Sequence, residues 1–188
     1  SILDEQHNAD YIPDERGGPA MIVADSNNDR VVEFRREDGE WMESWVWQDD
    51  RLKWPRDADR LPNGHTLVTD TNGNRVFQID QRGRVVWSIS TSINVYEAER
   101  LSTGDESAGG TAAHELGLNS RTVEPETPLK RAQVAVESVL GPRTVNGIIW
   151  VTPEWMRFPD FVTVLVSLLS ALVLAGYELS VRGLVPRR

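Results

Sequence analysis

The stretch "TLVTDTNGNRVFQI", residues 66–79, decides the fold because the chain contains it twice. "MIVADSNNDRVVEF", residues 21–34, lies over it 45 positions earlier, matching Asp25 with Asp70, Asn27 with Asn72 and Arg30 with Arg75. Upstream, "HNADYIP" (residues 7–13) pairs with "RDADRLP" (residues 56–62), and downstream Gly39 pairs with Gly83 after a one-residue deletion. Each unit holds short alternating runs such as "AMIVAD", "RVVEF", "HTLVTD" and "RVVWSI", separated by Asn-Asn, Asn-Gly and Arg-Gly turns. Alternation bounded by such turns predicts antiparallel strands joined by hairpins. A unit of about 40–45 residues with about four strands is the signature of a β-propeller blade. Two hairpins of a sandwich are the rival reading, and they do not explain Asp-X-Asn-X-X-Arg-Val recurring at one offset. The expected fold is mainly β, with two propeller-type blades over residues 1–92 and a C-terminal transmembrane helix. Propellers close with about four to eight blades, so two of them leave faces and edges uncovered. The missing blades are expected from the same gene product, from copies of the chain or from a partner protein.

The composition narrows the function classes. The net charge is -9 and the pI about 4.9, with no basic stripe to neutralise phosphates, so nucleic acid is not an expected partner. Of the 20 cationic residues only Lys53 and Lys130 are lysines. An acidic, lysine-poor balance suits a protein hydrated in strong brine, where long-range repulsion is screened; a biased genome would also favour Arg over Lys. The absence of cysteine excludes disulfides, zinc ribbons and thiol catalysis.

Residues 161–177, "FVTVLVSLLSALVLAGY", carry no charge, and extension to Val181 gives about 20 residues at the cost of Glu178. That length spans a hydrocarbon core of about 30 Å. A buried helix of a soluble domain is the alternative. The flanks favour the membrane: Trp150, Trp155 and Phe158 suit one interface, and Arg182, Arg187 and Arg188 follow the other. Residues 1–160 are net acidic and the tail is basic, so residues 182–188 are expected in the cytoplasm and the rest outside. Export needs a targeting signal, and none is legible at Ser1, so further sequence is expected upstream. Between blades and span, residues 93–127 read as polar loop or linker. Residues 128–160 read as a short amphipathic helix stopped by Gly141-Pro142, then a membrane-interface segment.

Several residues are candidates for chemistry. Asp25, Asn27 and Asp29, with Asp70, Asn72 and Asn74, have the oxygen spacing of a calcium loop. They lack the terminal Glu of such a loop, and Arg30 and Arg75 stand beside them. The structural alternative is that each Asp accepts backbone N–H groups in a turn while its Arg pairs with a carboxylate. His65 follows a Pro-Asn-Gly turn and opens a strand, which fits a hydrogen-bonded strand residue as well as a ligand contact. His114 lies in the linker without a visible partner. Trp41, Trp45, Trp47, Trp54 and Trp87 could form a ligand platform or pack blade against blade. No cofactor is implied.

"RDADRLPNGHTLVTD" followed by "GNRVFQIDQRGRVVWSI" resembles the arylsulfotransferase family, and most of all its membrane-anchored versions in halophilic archaea. The likeness covers about residues 6–100. The Asp-X-X-Asn-X-Arg-Val element of residues 25–31 is shared with NHL-type propellers. The resemblance implies a six-bladed propeller with histidines at a central channel that accept a sulfuryl group from a phenolic sulfate and pass it to a phenol. A neutral imidazole suits that role. The family's His-Asp pair falls on Arg56-Asp57 in one unit and on His7-Asn8 in the other. Arg56 could clamp a sulfate ester but cannot act as nucleophile. The implied site is therefore His7, Arg56 and Asp57, with Asn8, Trp54 and His65 as neighbouring substrate contacts. A binding or assembly module with a degraded catalytic motif is one reading; an active sulfotransferase with His7 as nucleophile is the other.

Overall fold

The computed structural model describes residues 2–104, 107–122, 135, 138–151 and 158–181. The alternating runs form two four-stranded antiparallel sheets, each a simple meander. Sheet one takes β1 (Gln6–Ile12), β2 (Ala20–Asp25), β3 (Arg30–Glu37) and β4 (Glu40–Trp47) in that order. Sheet two takes β5 (Pro55–Arg60), β6 (Thr66–Asp70), β7 (Arg75–Ile79) and β8 (Val85–Ser90). The 45-residue repeat is thus one sheet copied. Asp25 faces Arg30 across the β2–β3 pair as Asp70 faces Arg75 across β6–β7.

The turn residues explain the hairpins. Asp25 accepts the Asp4 N–H and the Asn28 amide, and its carboxylate lies 2.7 Å from Arg30 Nε. Asp70 accepts the Lys53 and Gly73 N–H groups, with Arg75 Nε at 2.7 Å. Each Asp accepts from its own turn and from a preceding segment, and fixes the Arg that opens the next strand. A cation at either place would have to displace that guanidinium. Asp29 and Asn74 take the left-handed backbone that closes each turn, with φ of 47° and 50°.

The sheets face each other. The front of sheet one presents Ile22, Val31, Trp45 and Trp47 to Ala58, Val68, Phe77 and Ile79 of sheet two, all buried. Trp47 lies 5.3 Å from Phe77 between ring centroids and donates its indole N–H to Gly83 O. Burial of each large apolar side chain contributes about 1.5–3 kcal/mol. Of the five tryptophans read as a platform, Trp45, Trp47 and Trp54 are buried, while Trp41 and Trp87 are exposed.

The described part of residues 93–127 is loop in conformation, but it is not a free linker. Ala112 donates its N–H to Arg16 O, Ala113 to the Glu33 carboxylate, and Arg121 to Val46 O on the outer strand. Ala113 is fully buried in the core between the sheets.

Two compact units divide the chain, Ser1–Asn146 and Gly147–Arg188. Residues 138–140 are helical, Gly141 takes left-handed backbone with φ 77°, and helix α1 then covers Pro142–Val151, so Gly141-Pro142 ends one helix and opens the next. The ring has no N–H to lose in a first turn and its φ suits that position. The expected amphipathic helix before it lies mostly outside the described residues, as do Trp155 and the 182–188 tail. Helix α2 covers Phe158–Val181. Its segment Thr163–Val181 is long and apolar enough to cross a membrane, and its described side chains are exposed.

Candidate functional site

The first residues of β1 and β5 lie side by side, because β5 packs on β1 and β2. Both strands are irregular there: the register of β1 shifts between His7 and Asp10, and that of β5 between Pro55 and Asp57. Such bulges turn side chains out of the ladder. Asn8 and Trp54 take left-handed backbone, φ 37° and 55°. The conformation of Trp54 is held by the β2–β3 turn of the neighbouring sheet. Its N–H donates to Asp29 at 2.7 Å, its indole N–H to Asn27 at 3.2 Å, and Ser26 donates to Pro55 O. Asn27 and Asp29, candidate cation ligands by spacing, here orient an aromatic ring.

The result brings five sequence-read residues together. Arg56 Nη2 lies 3.2 Å from His7 Nδ1. The guanidinium also stands 5.0 Å from the Trp54 ring centroid and 4.4 Å from that of Tyr96, distances that favour cation–π attraction. His7 meets the Trp54 ring edge-on at 5.8 Å. Asn8 Nδ2 donates to one Asp57 oxygen at 3.3 Å, and the Ala98 N–H donates to the other at 3.2 Å. Among the described residues Arg56 has no carboxylate partner. His65 stands elsewhere, with Nδ1 against the Gln78 amide. Asn72 and Asn74 stay with the β6–β7 turn, where the Asn72 N–H donates to Lys53 O and the Asn74 N–H to Thr71 O.

The electrostatics follow from burial and from Arg56. Partial burial and the neighbouring guanidinium both lower the pKa of His7, outweighing the opposite pull of Glu5. The ring is neutral at pH 7. Arg can only donate, so Nδ1 accepts and the proton of the neutral ring sits on Nε2. Burial pushes Asp57 up to about 6, against the bonds from Ala98 and Asn8. Next to these groups is a pocket of about 180 Å3 lined by Asn8, Asp10, Asp57, Asp59, Glu97 and Glu99.

Sequence reasoning missed Tyr96, Glu97 and Glu99. The signal was present in "YEAERL", residues 96–101, which lies over "RDADRL", residues 56–61, as "RDADRL" lies over "HNADYI", residues 7–12. His7, Arg56 and Tyr96 are one repeat position met three times, and they touch in that order. The third copy escapes notice because its Gly-rich sequel carries no second Asp-X-Asn turn. No protein-family model matches the chain, and no curated protein matches it either.

Proposed function

We propose that the chain is a membrane-anchored, extracytoplasmic module of the β-propeller type, resembling arylsulfotransferases, that binds an anionic aromatic ligand at Arg56 without transferring a group from it. The observation that carries this reading is the 3.2 Å contact between Arg56 Nη2 and His7 Nδ1. Sulfuryl transfer through histidine needs a nitrogen lone pair aimed at the ester. Here the Nδ1 lone pair accepts from Arg56 and Nε2 carries the proton. The pair instead offers hydrogen-bond donors, a guanidinium with no carboxylate partner among the described residues and the Nε2–H. Trp54 and Tyr96 border them with aromatic rings. A sulfate ester on an aromatic ring matches that set: charge-assisted bonds for the anion and ring faces for the remainder. The orientation of the anchor rests on the basic tail, and the blade reading on the copied four-stranded sheets.

The alternative, an active transferase, draws support from the lowered pKa of His7, which keeps the ring unprotonated at pH 7. Mixing the full-length protein with 4-nitrophenyl sulfate and a phenol acceptor in high salt separates the two. Calorimetry is expected to show binding that weakens roughly ten- to hundred-fold in Arg56→Ala, with no nitrophenol released. Turnover that vanishes in His7→Ala, with an acid-labile sulfo-histidine, would replace this reading by the transferase.

A further inference from the structure

The joint between the two sheets is repeated, half-built, on the far side of sheet two. In the complete joint, Glu33 stands opposite Trp45 and Val31 opposite Trp47 across β3–β4. Arg60 of the next sheet closes it, with its guanidinium 4.7 Å over Trp45 and 3.0 Å from Glu33. On sheet two the same pattern recurs across β7–β8: Gln78 stands opposite Trp87, and Val76 opposite Ile89. Arg100 closes this one in turn, 4.7 Å over Trp87 and bonded to Gln78 Oε1. Residues 96–101 therefore hold the place of the first strand of a third sheet.

The rest of that sheet is not supplied by the described residues. β1 and β5 each pair with the strand that follows them, Asp10 with Ile22 and Asp59 with Leu67. Among the described residues, the only strand pairing of the equivalent stretch, residues 97–101, is the local Arg100–Gly104 bridge. Ile12 and Leu61 are 0 % and 6 % exposed, whereas Leu101 at the same repeat position is fully exposed. Trp87 and Ile89 are 41 % and 52 % exposed, although their counterparts Trp45 and Trp47 are buried. Exposed aromatic and aliphatic side chains beside an open strand edge mark a docking surface.

We propose that this surface, the Trp87–Ile89 face with the open edge of residues 97–101, docks a three-stranded antiparallel meander carried by another polypeptide. The partner presents aliphatic and phenylalanine side chains at alternate positions, as Val68, Phe77 and Ile79 do in the complete joint. Three strands fit and four do not, because residues 97–101 already fill the first place. A second copy of this chain, with β1 already paired to β2, does not seat there intact. The inference rests on the repeated-sheet reading and not on the ligand at Arg56.

The probe is a peptide of residues 19–48 of this chain, which carries β2–β4 and the alternating Met21, Val23, Val32 and Phe34. An isolated three-stranded peptide is marginally stable, so the same segment is also tethered to the N-terminus of the full chain, where its effective concentration is about millimolar. Expected are protection of the backbone amides of residues 97 and 99–101 from hydrogen exchange, Ala98 being already bonded to Asp57, and at least tenfold weaker peptide binding in Trp87→Asp. Trp41→Asp, at an equally exposed tryptophan off this face, binds as the parent does. No protection from either the free or the tethered segment would sink the proposal. Self-association of the untethered chain that Trp87→Asp abolishes would also overturn it, in favour of a second copy. Binding of 4-nitrophenyl sulfate, measured on the same samples, reports the Arg56 site separately.

Discussion

Asp57 shows how one residue carries both the repeat and an energetic cost. It sits in a bulged first strand, buried, with Asn8 and the Ala98 N–H as its donors. Burial outweighs those bonds and pushes its pKa up to about 6, so folding favours the protonated form. Between about pH 4 and pH 6 the folded chain holds a proton that the unfolded chain has released, and stability from this group is lost as pH rises through that window. A shift of about two units corresponds to at most about 3 kcal/mol. Asp57→Asn is therefore expected to stabilise the protein at pH 7 by up to about 3 kcal/mol and to leave it nearly unchanged at pH 4. Urea unfolding of both proteins at the two pH values checks this; a constant gap would mean that Asp57 ionises without cost. The positions of His7, Arg56 and Asp57 were legible because the repeat brings equivalent strand starts together. The tautomer of His7 was not legible, since it depends on an arginine 49 residues away.

At the scale of elements, strands and turns could be read from alternation and Asx turns, but the polar interior of the joint could not. Glu33 lies in β3, and no feature of its local sequence marks it as buried. The structure buries it completely against Arg60, and its other oxygen accepts the Ala113 N–H. Arg60 also donates its backbone N–H to Ser107, which donates to Asp10. Burial lowers the pKa of Arg60 to about 10 despite Glu33, so the guanidinium remains charged at neutral pH. Breaking one side strands the other charge in the core, which costs about 3–5 kcal/mol, whereas replacing both by apolar residues costs far less. Arg60→Met alone should fall in that range by denaturant unfolding. Combination with Glu33→Leu should recover most of the loss, measured as a double-mutant cycle. A double variant as unstable as the sum of its parts would show that the two side chains act separately, Glu33 through the Ala113 N–H and Arg60 through its stacking on Trp45.

For the whole molecule, the apolar segment was the most legible feature, because a run of uncharged residues needs no partner to be recognised. The packing of residues 107–121 was the least legible. Its anchors combine backbone groups of Ala112, Ala113 and Arg121, which any sequence supplies, with single side chains such as the Ser107 hydroxyl between Arg60 and Asp10, which no local pattern announces. Thr163–Val181 satisfies its own backbone bonds as a helix and offers an apolar surface on its described residues, the form that hydrocarbon accepts. Leu172 lies near the middle of that segment, where an arginine costs about 2.5–3.5 kcal/mol. The parent chain should stay with membranes through an alkaline carbonate wash, and Leu172→Arg should release a substantial fraction into the supernatant. The chain lacks cysteine, so single substitutions report its orientation cleanly. Ser90→Cys in intact cells should react with a membrane-impermeant maleimide, and Arg188→Cys only after permeabilisation. The reverse labelling would invert the orientation drawn from the basic tail, and a parent chain that washes free would remove the anchor altogether.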